Sequence, residues 1–134
     1  MTGPVSDLDA MLTGMQPVLS DAPFRFVAQN RADGAIASFD HTFAVIREDE
    51  GTTFIVLSAD ADGHDGPDFA KITLQVHSAL EGVGLTAAVA AALAQSNIAC
   101  NVVAGFHHDH IFVPWEYRTQ AIAILKQLSQ DARR

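Results

Sequence analysis

The stretch FAKITLQVHSALEGVGLTAAVAAALAQSNIACNVVAGFHHDHIFVP, residues 69–114, decides the fold. It opens with an alternation. Ile72, Leu74 and Val76 fall on one side, Lys71, Thr73 and Gln75 on the other, which is the period of a half-buried strand. A glycine-containing loop, 78–84, comes next. The run LTAAVAAALAQS is rich in alanine, the strongest helix former, and predicts a helix. Asn97 is placed to end it in the left-handed region. IACNVVAGF reads as a buried strand and IFVP as another, with the polar run His107, His108, Asp109 and His110 between them. Pro114 suits the opening of a last helix whose core residues are Ala121, Ile122, Leu125 and Leu128. The order is strand, helix, strand, strand, helix. That is a ferredoxin-like βαββαβ unit lacking its last strand, because the sequence stops at Arg134.

The missing strand has to come from the first half. Ser6 is placed to cap a short helix carrying Leu8, Met11, Leu12 and Met15, which Gly14 and Pro17 end. FRFVAQ alternates and predicts a strand. NRADGAIASFD reads as a loop. TFAVIRE and TTFIVLS flank DEG, where Gly51 permits a hairpin turn. The run FIVL is apolar on both faces and predicts a central strand. TTFIVLS is therefore the simplest donor of the absent edge. The small side chains of the alanine-rich helix let it lie close on the sheet.

Composition limits the function classes. The chain has 134 residues, 49% of them hydrophobic, enough for a compact core. Its formal net charge of -8 argues against nucleic acid, which demands basic side chains to displace counterions, and against an anionic membrane surface. No apolar run reaches the length of a membrane-spanning helix. The first residues lack the basic start and apolar core of a signal peptide. Cys100 is the single cysteine, which rules out an internal disulfide; in an apolar strand it reads as a small core residue. These features point to the cytoplasm. The acidic segment ADADGHDGPD does not fit a calcium-binding EF-hand loop, which needs glycine where Asp65 stands and glutamate where Lys71 stands.

EDEGTTFIVL together with HSALEGVGLTAAVAAALAQSNIACNVVAGFHHDHIFVP resembles the small stand-alone bacterial ACT-domain proteins, over residues 48–113. The resemblance implies an α+β, ferredoxin-like sandwich with helices on one face of an antiparallel sheet, and with the N-terminal helix and strands completing that sheet. It also implies one compact unit over 1–134, in which 1–66 supplies a helix and three strands and 67–134 the ACT-like βαββα unit. ACT domains bind amino acids and other small metabolites, usually across a dimer interface, and most regulate enzymes without being catalysts. In the wider family the ligand loop joins the first strand to the first helix and often reads Asp-Arg-Pro-Gly. Here it reads SALEGVG, without the aspartate, arginine or proline.

That loop is the first candidate site. Gly82 and Gly84 permit close approach to the backbone, and the following helix N-terminus suits a carboxylate. Glu81 suits an ammonium group. The ligand-binding set is thus Ser78, Glu81, Gly82, Val83, Gly84 and Leu85, with Asn101, Val102 and Val103 on the neighbouring strand, which a partner subunit supplies in ACT-type dimers. The alternative is that the glycines only make the turn. Gly82, Gly84 and Ala87 also match a dinucleotide fingerprint formally, but the preceding loop is too long for a tight strand-to-helix turn. His107, His108, Asp109 and His110 are the second candidate. One short turn offers too few ligands for a closed zinc shell, and no nucleophile is paired with the histidines. Neither a metal nor a cofactor is expected, and the HHDH run reads as a hairpin turn. The favoured reading is a non-catalytic regulatory module that binds an amino acid as a homodimer. The alternatives are a small metal- or histidine-dependent enzyme using the HHDH turn, and a bare oligomerisation module.

Overall fold

A computed structural model describes residues 4, 7–30 and 42–133. The chain forms two compact units, residues 1–20 together with 70–134, and residues 21–69. The N-terminal helix, expected with residues 1–66, thus packs with the second half of the chain.

In the first unit, helix α1 is Leu8–Thr13. Asp7 caps it, its carboxylate accepting from the Ala10 N–H at 3.1 Å; Ser6 lies outside the described residues. Gly14 forms the C-cap. Strand β1, Pro17–Leu19, then pairs antiparallel with β5, Phe69–Leu74. Helix α2, Leu85–Gln95, ends through Asn97 at φ 60°, and the Ile98 N–H returns to the Leu93 carbonyl at 3.0 Å. Strands β6, Asn101–Ala104, and β7, Asp109–Pro114, form a hairpin. A 3-10 turn, Trp115–Tyr117, leads into helix α3, Arg118–Asp131. The strands take the order β1-β5-β7-β6. β5, β6 and β7 are the first three strands of the ferredoxin-like pattern, and β1 takes the place of the fourth.

The donor of that edge corrects the expectation. It is Pro17–Leu19 and not TTFIVLS, with Val18 opposite Thr73. Its neighbour α1 explains the choice: Met11, Leu12 and Met15 are buried in the same core as Ile72, Leu74, Val89, Leu93, Ile111 and Leu125. Burying those side chains carries β1 to the sheet with them. A second correction concerns IACNVVAGF. Ile98 is buried, but β6 itself is only partly covered, because it closes one end of the strand order. Cys100 is half-buried, and burial raises its thiol pKa. Trp115 packs against the core and carries the Arg118 guanidinium 3.9 Å from its ring centre.

In the second unit, β2, Phe24–Asn30, and β3, Ala44–Arg47, flank β4, Gly51–Leu57. β4 is central, as FIVL predicts, and Phe54, Ile55 and Val56 are buried. Gly51 is needed there because a Cβ would stand 2.1 Å from the Gln29 carbonyl oxygen. The loop NRADGAIASFD lies outside the described residues beyond Asn30. In the acidic segment, Asp68 accepts from Arg25 Nε at 2.9 Å and Ser58 Oγ at 2.8 Å. These bonds, Ser58 first, hold its carboxyl below the usual range.

Candidate functional site

The site grows out of two connections at the same end of the first unit. After Leu74 the chain leaves β5, and the Gln75 N–H bonds the Met15 carbonyl at 2.7 Å. Val76 stays buried, and His77 and Ser78 both make contacts with the hairpin. A tight turn comes next, closed by the Gly82 N–H on the Ala79 carbonyl at 2.9 Å. Across from it lies the β6–β7 turn, closed by the Gly105 N–H on the His108 carbonyl at 2.9 Å.

Side chains join the two. Ser78 Oγ stands 3.5 Å from Asp109 Oδ2 as its donor. The His77 and His107 rings have centroids 5.5 Å apart, tilted by 41°. Phe106 meets His107 edge-on at 5.1 Å. Between the connections opens a cavity of about 440 Å³, lined by Pro4, His77, Ser78, Ala79, Leu80, Glu81 and Phe106. That volume is within the range of small-molecule sites. A recess of about 90 Å³ lies at Met11, Ser78, Gly82, Leu85, Ala104 and Asp109. Leu80 and Phe106 are 67% and 72% exposed, so the cavity has apolar walls open to solvent.

The loop glycines have an occupant within the chain. A Cβ at Gly84, whose φ is 109°, would stand 3.1 Å from Leu8 Cδ2. A Cβ at Gly82 would stand 3.1 Å from Met11 Sδ and equally close to the Ala79 carbonyl oxygen. The close approach that the glycines permit is therefore taken by α1. Gly84 is the N-cap of α2, and Leu8 lies against it.

Of the residues singled out from the sequence, Ser78 and Glu81 line the cavity, and Gly82 and Leu85 line the recess. Val83 is 82% exposed on the outside of the turn. Asn101, Val102 and Val103 pair with Phe112, Ile111 and His110. Asn101 lies three residues before Ala104, about 10 Å along the strand, and Ala104 is the β6 residue that reaches the recess. His77 and Phe106 lie outside the set read from the sequence, and Leu80 enters it only as part of the 78–84 loop. The signal for them is topological: in this strand order the end of β5 and the β6–β7 turn share one edge of the sheet.

The HHDH run spans the hairpin turn and the start of β7, and its members diverge. His107 turns to His77. His110 lies on β7 with Nδ1 3.0 Å from Thr73 Oγ1 on β5. Its pKa is lowered by burial first, then by Lys71 and His108, with Asp109 acting the other way. Among the described residues no group of three or more His, Cys, Asp or Glu is placed to hold a metal ion. Nor is any described helix long and apolar enough to cross a membrane.

Residues 4–71 match one ACT-domain family model and residues 66–127 another. No curated protein matches the sequence. Among solved structures, a Vibrio cholerae protein of unknown function, described as a possible transport protein, is 39% identical with a TM-score of 0.79, covering 91% of this chain and 95% of that one. A protein from Agrobacterium tumefaciens is 18% identical with a TM-score of 0.67, covering 81% and 84%. The ligand-free regulatory subunit of aspartate kinase from Thermus thermophilus is 14% identical with a TM-score of 0.62, covering 86% and 97%. Between them the two family models reach from residue 4 to residue 127, and the chain belongs to the ACT-domain family.

Proposed function

We propose that this protein is a non-catalytic regulatory module that binds an amino acid in the cavity between the 77–81 loop and the β6–β7 turn. The observation that carries the reading is the composition of that cavity. Glu81 offers a carboxylate to an ammonium group, Ser78 a hydroxyl, and Leu80, Ala79 and Phe106 apolar walls. An amino acid with an apolar side chain carries groups that complement these: an ammonium, a carboxylate and an apolar body. Family membership supports the same reading, and the regulatory subunit of aspartate kinase shares the fold.

The active form is a homodimer in the cytoplasm. β6 ends the strand order of its unit, leaving a row of backbone groups for a second copy to pair with. Asn101, Val102 and Val103 lie on that strand, so in the dimer they complete the site from the partner. Binding would then be coupled to assembly, because both chains contribute contacts.

A thermal-shift screen against the proteinogenic amino acids, nucleotides and divalent metals, followed by calorimetry, tests this. A ligand that binds only the folded state raises the melting temperature, by an amount equivalent to about 2.7 kcal/mol at a hundredfold excess over Kd. At least one amino acid is expected to do so. If none binds even at about millimolar concentration, the reading fails; a shift by metal alone would favour the histidine-dependent enzyme.

A further inference from the structure

The charges around the cavity narrow the class of amino acid it can take, provided that the amino-acid reading of the site holds. Among the described residues its lining contains no lysine and no arginine. The chain as a whole carries 16 acidic against 8 basic side chains, so its general field repels a carboxylate. A ligand carboxylate therefore needs a local cation. The N-terminus of α2 has Leu8 packed against its cap. His77, by contrast, lines the cavity, and the His107 ring lies 5.5 Å from it. Phe106 lines the cavity too and meets His107 edge-on, so one aromatic row runs from the apolar wall to the two imidazoles.

We infer that His77, with the His107 ring beside it, receives the carboxylate of an apolar amino acid, so that binding takes up a proton. A carboxylate brought beside an imidazole favours its charged form. The other titratable groups around the pair are Glu81 on the same loop, His108, Asp109 and His110 on the hairpin, and Lys71 of β5 beside His110. α1 presents the apolar Leu8 and Met11 to this loop. Glu81 is placed for the ammonium group, while Asp109 accepts from Ser78. Leu80 and Phe106, both widely exposed, are left for an aliphatic or aromatic side chain.

Calorimetry with leucine and phenylalanine, and with their C-terminal amides, decides the point. Histidine is the side chain whose charge changes between about pH 6 and about pH 8, so the measurements are made at both ends of that window. Leucine or phenylalanine is expected to bind about tenfold more tightly at the lower pH, with up to about one proton taken up per ligand when buffers of different ionisation enthalpy are compared. The amides should bind weakly at both. His77→Gln should lose the pH dependence together with the affinity, and His77→Lys should restore affinity without the dependence. Equal affinity at both pH values with no proton uptake overturns the inference while leaving amino-acid binding intact. So does a screen in which only polar amino acids bind. If no amino acid binds at all, the proposed function falls with it.

Discussion

Gly84 stands at φ 109°, with Leu8 against the place its Cβ would take. In the sequence, Gly84 reads as a residue that permits close approach of a ligand to the loop backbone. The structure changes that expectation. Gly84→Val would force a β-branched residue into the left-handed region and push Leu8 of α1 aside. The expected cost is about 1–3 kcal/mol of stability, measured by urea denaturation. A variant as stable as the native protein would show that α1 does not seal this cap. His110 supplies a second prediction at this scale. Burial, with Lys71 and His108, holds its imidazole below the usual histidine range. The unfolded chain then binds a proton that the folded chain does not. This contribution to stability is present in full above about pH 6.5, the ordinary value, and is lost as pH falls through the folded one. Native protein should thus lose stability on acidification below neutrality, and His110→Gln should lose less over the same range. Parallel urea midpoints for the two proteins would remove His110 from the account.

At the scale of elements, α1 and β1 matter more than their length suggests. α1 has only the residues Leu8–Thr13, too few to be stable alone. It forms because Met11 and Leu12, with Met15 just beyond, are buried against α2, α3 and β5. The Ser129 hydroxyl and the Arg133 guanidinium both bond the Thr13 carbonyl at 3.2 Å, which ties the last turn of α1 to α3. Met15→Ala should destabilise the protein by about 2–5 kcal/mol, the range for emptying a buried methionine site. Urea denaturation checks it, with Leu8→Ala as the partly exposed comparison at a smaller cost. Equal effects would mean that α1 is an appendage and that the edge strand is held by backbone pairing with β5 alone.

For the whole molecule, two ACT-domain matches span two compact units whose boundaries in the chain do not coincide with them. The first unit is assembled from both ends of the sequence, residues 1–20 and 70–134, so removing the N-terminal segment should impair a unit whose larger part lies in the second half of the chain. Association belongs to this scale as well. The free side of β6 and the widely exposed Leu80, Val83 and Phe106 are the surfaces that a second copy would cover. Light scattering at high concentration should give about twice the 14.3 kDa of one chain. A mass of one chain under those conditions would remove the homodimer.

The periodicities determined a good deal by themselves. Alternation at Ile72 and Leu74, and helical spacing at Ala121 and Leu125, place these residues in the core because period alone sets which side chains share a face. Gly51 between TFAVIRE and TTFIVLS marks a hairpin for an equally local reason. Only the tertiary structure decided which segment closes the sheet, and what occupies the space beside Gly82 and Gly84. A strand's period says how it faces a core but not which partner it meets, and Pro17–Leu19 is too short to show a period at all. The choice falls to the burial of Met11 and Met15 in a core built mainly from the second half of the chain. The same long-range packing sets His77 beside His107 and turns His110 away to Thr73. A run of histidines in a sequence names the chemistry available, and the turn that carries it decides which rings meet.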